Sequence, residues 1–171
     1  MTPRFGRVLT AMISPFTKDD ALDIEGAQTL AEWLVGQGNE GLVIAGTTGE
    51  SPTLTHEEQI NLIAAVVEAV DVPVIAGAGS NDTKAAVELT ERCTEVGAAG
   101  ILTVTPYYNR PSQQGLIAHF SAIANSTNLP VILYDIPVRS GRKIDTSTIL
   151  QLADEVENIV ALKDAAGDVA E

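Results

Sequence analysis

The sequence has a single cysteine, so no internal disulfide is open to it. Cys93 stands among helix-forming residues, where it reads as a small core hydrophobe suited to a reducing cytosol. Cations are scarce too: ten lysines and arginines face 23 aspartates and glutamates, giving a net charge of -13 and an isoelectric point near 4.4. A field of that sign repels nucleic acid and anionic membrane surfaces, so an anionic ligand has to be drawn by cations gathered locally. No apolar run approaches the length of a membrane span, and "MTPRFGRVLTAM" at the start lacks a signal-peptide core and cleavage site. A soluble, cytoplasmic protein is expected. His56 and His119 lie in helical patterns with no second ligand at metal spacing, so no metal is expected. What the chain does have is apolar material: 45% of its 171 residues are hydrophobic and 19% charged, ample for the core of one globular domain.

That material comes in six short runs: residues 8–16, 41–46, 72–78, 100–106, 129–135 and 158–165. They lack the alternation of a strand with one wet face and read as parallel strands buried on both faces. Between them the period changes. Ala27, Leu30, Ala31, Leu34 and Val35 follow helical spacing, with Gly36 and Gly38 as a stop. Thr55 with Glu58 forms a capping-box signature before Ile60, Ile63, Ala64 and Val67. Asn81 or Asp82 is suited to cap the segment with Ala86, Leu89 and Cys93, Ser112 the one with Leu116, Phe120 and Ile123, and Asp145 the one with Ile149 and Leu150. With no linker or low-complexity tract, the pattern is an α/β fold of repeated βα units in one domain. It suits an open doubly wound sheet or a (β/α)8 barrel. A whole barrel takes roughly 250 residues, so in that case the chain holds about the first six βα units.

In either architecture ligands bind at the carboxyl ends of the strands. There the second run ends in "GTTGES" (46–51), the fourth in "TPYYNRP" (105–111), the fifth in "YDIPVRSG" (134–141) and the sixth in "KDAAGD" (163–168). An amine held in apolar surroundings has its charged form destabilised and can attack a carbonyl, which is Schiff-base chemistry; Lys163 alone also fits an ion pair with Asp164 or Asp168, or a stem that reaches water. The turn holding Thr47 and Thr48 can face a carboxylate with backbone N–H groups and hydroxyls, although glycine and threonine are also ordinary turn residues. It has neither a P-loop ending nor a dinucleotide fingerprint. In a chain with only 4% aromatics, Tyr107, Tyr108 and Tyr134 all stand at strand ends. Packing suits Tyr107, and proton transfer suits Tyr134. Arg139 follows a proline-fixed turn and is placed either to bind a carboxylate bidentately or to be a solvated loop cation.

Taken together, "GTTGE", "TVTPYYNRPSQQGL", "LYDIPVRSG" and "IVALKDAAGD" resemble the dihydrodipicolinate synthase (4-hydroxy-tetrahydrodipicolinate synthase) family of class I pyruvate aldolases and lyases. The resemblance implies a (β/α)8 barrel with a small C-terminal helical domain. Residues 1–171 would then be one partial barrel domain, lacking the last two strands and the helices. It implies a homotetramer of tight dimers, and condensation of pyruvate with L-aspartate 4-semialdehyde in lysine (diaminopimelate) biosynthesis. It also implies no metal or organic cofactor, only a covalent imine through Lys163. Carried over by position, Lys163 is the Schiff-base lysine and Tyr134 the proton donor and acceptor. Thr47 and Tyr108 are its relay partners, Tyr108 reaching across the tight-dimer interface, while Thr48 holds the pyruvate carboxylate and Arg139 receives the aldehyde's carboxylate. N-acetylneuraminate lyase, 2-keto-3-deoxy sugar acid aldolases and a catalytically dead fragment are the alternatives. At the family's lysine feedback site, His56 and Asn81 fit, whereas Gln59 and Ala85 depart.

Overall fold

The computed structural model describes residues 4–170. Its elements alternate as expected: β1 (Leu9–Ala11), α1 (Ile24–Gly36), β2 (Gly41–Ile44), α2 (His56–Ala69), β3 (Val74–Gly77), α3 (Thr83–Glu95), β4 (Gly100–Val104), α4 (Gln113–Asn125), β5 (Val131–Asp135), a single turn α5 (Pro137–Ser140), α6 (Thr146–Glu155) and β6 (Ile159–Asp164). The class is α/β with parallel strands. Contacts group the chain into two compact units. One holds the described residues up to Gly77 together with Arg92–Gly100, and the other holds Ala78–Glu91 and the described residues from Ile101 on.

In the first unit, β2 pairs in parallel with β1 and β3, Val43 lying opposite both Ala11 and Ile75. β2 and β3 are buried at every residue, as continuous apolar runs between covered faces should be. Helix α2 starts where the sequence predicts. The Thr55 hydroxyl accepts from the Glu58 N–H, and the Glu58 carboxylate accepts from the Thr55 N–H and from the Thr55 hydroxyl, two bonds that hold that carboxyl below the usual range. Gly77 is required by packing, since a Cβ there would run into the Ala45 carbonyl.

In the second unit, β5 pairs in parallel with β4 and β6. Helix α4, which packs against α6, buries Leu116, Phe120 and Ile123 completely, and Ser112 caps it by accepting from the Gly115 N–H. Asp82 precedes α3 and accepts from the Lys84 N–H, so of the two candidate caps it is the one used. Two expectations need correction. Asp145 stands at the N-cap of α6 but makes no capping bond with its side chain, and Leu150 is 64% exposed because only one side of the short α6 is covered. The sixth run is not buried on both faces either: Val160 and Ala161 are exposed, and among the described residues β5 is the one strand that β6 pairs with.

Candidate functional site at the carboxyl ends of the strands

β5 and β6 are in register so that Tyr134 lies opposite Lys163 and Asp135 opposite Asp164. Register partners on adjacent parallel strands sit about 4.8 Å apart and aim their side chains to the same face, so one βα repeat is what brings an amine and a phenol 29 positions apart together. The Lys163 Nζ stands 4.3 Å from the centroid of the Tyr134 ring, within cation–π range. Tyr134 is 5% exposed, and its backbone carbonyl accepts from both the N–H and the hydroxyl of Thr105, which fixes the strand that carries it. Lys163 is half-buried. The acids that could have paired with it turn to their own backbone: Asp164 accepts from the Ala166 N–H at 2.8 Å and Asp168 from the Ala170 N–H at 3.0 Å.

Thr47 and Thr48 follow β2 in the first unit. The chain leaves the strand through Ala45 at φ 55°, and the turn closes with the Glu50 N–H on the Thr47 carbonyl and the Ser51 N–H on the Gly46 carbonyl. Ser14 donates to the Gly49 carbonyl at 2.6 Å, pinning the turn to the segment after β1. Thr47 is half-buried and Thr48 exposed.

Tyr108 and Arg139 both belong to the second unit and both face solvent. Tyr108 is 91% exposed and takes φ 72°, a left-handed conformation that costs a non-glycine residue about 1 kcal/mol or more. The Asn109 N–H closes a tight turn across it onto the Tyr107 carbonyl, and the Asn109 side chain donates to the Asn81 carbonyl at 3.0 Å. Tyr107 itself is half-buried, in keeping with a packing role. Arg139 lies in α5, whose end is closed by Gly141 at φ 69° donating to the Pro137 carbonyl. Asp135, 1% exposed, accepts from the Ile144 N–H at 3.3 Å and lies 3.9 Å from the Lys143 ammonium. Sequence reasoning passed over Asp135; an acid closing an apolar run was the signal. Among the described residues no cluster of His, Cys, Asp and Glu is arranged to hold a metal, and no helix is long and apolar enough to cross a membrane.

Set against known proteins, residues 4–171 match the model of the Dihydrodipicolinate synthetase family. The 4-hydroxy-tetrahydrodipicolinate synthase of Moorella thermoacetica is 55% identical over 168 residues, which is 97% of this chain and 57% of that protein. That of Acidothermus cellulolyticus is 56% identical over 96% of this chain and 54% of its own length. A crystal structure of dihydrodipicolinate synthase from Bacillus anthracis superposes with a TM-score of 0.95 at 50% identity, covering 99% of this chain and 58% of the other. This chain therefore spans a little over half the length of the curated relatives it matches. At that identity the likeness carries the fold: the described residues supply six strands, and the helices between them, of a (β/α)8 barrel.

Proposed function

The chain belongs to the dihydrodipicolinate synthetase family, and from that premise we propose that it works as a 4-hydroxy-tetrahydrodipicolinate synthase, joining pyruvate to L-aspartate 4-semialdehyde through an imine on Lys163. The observation that carries this reading is the amine of Lys163 held 4.3 Å from the Tyr134 ring at the carboxyl ends of two paired strands. The Lys163 amine attacks the pyruvate keto carbon, and a phenol beside it serves to protonate the carbinolamine oxygen so that water leaves. The protonated imine is then the electron sink: loss of a methyl proton gives the enamine, whose carbon attacks the aldehyde. The amino group that the aldehyde substrate carries then attacks the imine carbon, closing the ring and expelling the lysine amine. No metal or organic cofactor is required by that sequence of steps.

In this reading Thr47 and Tyr108 relay protons with Tyr134, Thr48 binds the pyruvate carboxylate, and Arg139 meets the carboxylate of the aldehyde. Arg139 suits that role because it is exposed on a short closed turn in a chain whose net charge would otherwise repel an anion. The exposed, left-handed Tyr108 suits a phenol delivered to a second copy, as in a tight dimer within a homotetramer. A single partial barrel domain over residues 1–171 and a cytoplasmic setting complete the proposal; the buried, lone Cys93 supports the setting.

Exchange of the pyruvate methyl protons with heavy water, followed by NMR, tests the reading. Enamine formation at Lys163 predicts deuteration by the protein and none by Lys163→Ala; exchange that persists in the variant contradicts it.

A further inference from the structure

Residues 136–145, which carry Arg139, have little apolar anchoring of their own at the outer turn, where Val138 is 85% exposed and Arg139 is exposed. Inside the loop, Ser140 donates to the Ile136 and Arg142 carbonyls and Gly141 donates back to Pro137. Beyond the inner edge fastened by Asp135, two side chains from the segment that follows β4 reach over. The Arg110 Nε donates to the Gly141 carbonyl at 2.8 Å. Its aliphatic stem lies in contact range of the space above Gly141, so the loop approaches the arginine closely there. Gln113 uses both ends of its amide, donating to the Lys143 carbonyl at 2.9 Å and accepting from the Asp145 N–H at 3.1 Å.

The same short segment bears Tyr108, and Arg110 is itself in a left-handed conformation, at φ 46°. Two non-glycine residues in that region within three positions are an energetic cost that the surroundings have to offset. One charge-assisted bond and a two-point amide clamp, all onto one loop, are interactions of the kind that offset it.

We infer that Arg110 and Gln113 are positioning residues that fasten the Arg139 loop to the Tyr108 loop, so that the group meeting the second substrate's carboxylate is held in place by the segment carrying the partner-directed phenol. The inference rests on the proposed role of Arg139. Arg110 does not act on the reacting atoms; it acts through the loop. A shift at Tyr108, such as contact with a second copy would impose, is thereby passed to Arg139 within the same chain.

Two readouts on the full chain test it, using Arg110→Met, Arg110→Lys and Gln113→Glu. The first is hydrogen exchange of the backbone amides. Losing the Arg110 bond should raise exchange across residues 139–145 by about tenfold, the effect of a hydrogen bond to a charged group, while β4 and β5 stay as protected as before. The second loads Lys163 with pyruvate, adds L-aspartate 4-semialdehyde, and measures by borohydride trapping how much aldehyde halves the pyruvate adduct. That concentration should rise about tenfold in Arg110→Met and less in Arg110→Lys, with adduct formation by pyruvate alone retained. Gln113→Glu, which keeps the acceptor and loses the donor, should raise exchange at residues 143–145. Unchanged exchange in Arg110→Met overturns the clamp, and raised exchange with an unchanged aldehyde requirement overturns its link to Arg139. Should the unaltered protein form no adduct with pyruvate, the proposed function fails, while the exchange arm still decides the clamp.

Discussion

Acidification should weaken the packing of α4 through one group, His119. Its side chain is buried, its ring packs edge-on against Phe120 at 5.3 Å, and its Nδ1 lies 2.8 Å from the Thr83 hydroxyl at the start of α3. Nε2 is buried with no hydrogen-bond partner. Burial therefore pushes the imidazole down from 6.5 to about 4, against a smaller opposing pull from the Asp82 carboxylate. In the unfolded chain the group returns to about 6.5, so between those values the unfolded state holds more protons than the folded one. Stability from this residue is thus complete above about pH 6.5 and is lost as pH falls toward about 4. Linkage gives a loss of about 2 kcal/mol between about pH 7 and pH 5. Urea unfolding followed by circular dichroism at those two pH values, on the protein and on His119→Phe, isolates the effect. The variant leaves Thr83 without its ring partner and so starts less stable, but that cost is the same at both pH values. The protein should lose about 2 kcal/mol more than the variant on acidification. Equal losses, within about 0.5 kcal/mol, would refute the reasoning.

Cys93 is fully buried and desolvation pushes its thiol up to about 12, so an alkylating reagent should leave the folded protein unmodified at neutral pH and label it fully in urea. Gly77→Ala should destabilise the first unit by more than about 3 kcal/mol, read as a fall in the urea midpoint, because the added methyl meets the backbone of Ala45 rather than a movable side chain. Tyr134→Phe keeps the ring under the Lys163 ammonium and removes the hydroxyl; pyruvate methyl exchange should fall by about 100-fold or more with the circular dichroism spectrum unchanged.

Local signals carried much of this architecture. Thr55 and Glu58 cap each other through bonds three residues apart, and Ser112 accepts from the Gly115 N–H at the start of α4, so a window of a few residues contained the cause. The pairing of Tyr134 with Lys163 was legible for a related reason: a regular βα repeat places equivalent strand ends side by side. What the sequence hid was the fastening of loops. Arg110 and Gln113 bond to backbone groups about 30 positions away, and a backbone carbonyl has no residue-type signature to pair with. Asp145 misled because a capping residue type stands at the cap position, yet its own N–H is taken by Gln113 and its side chain makes no cap bond. Exposure of β6 was hidden as well, since apolar composition reports what a strand is suited to and not what covers it.

A lysine and a tyrosine poised together are the centre of the account, and reduction of the protein by borohydride in the presence of pyruvate, with the modified peptide located by mass spectrometry, tests them most directly. The adduct is predicted on Lys163 and on none of the other lysines, and it should vanish in Lys163→Ala. An unmodified Lys163 in the intact protein, or an adduct on another amine that survives the substitution, would contradict it.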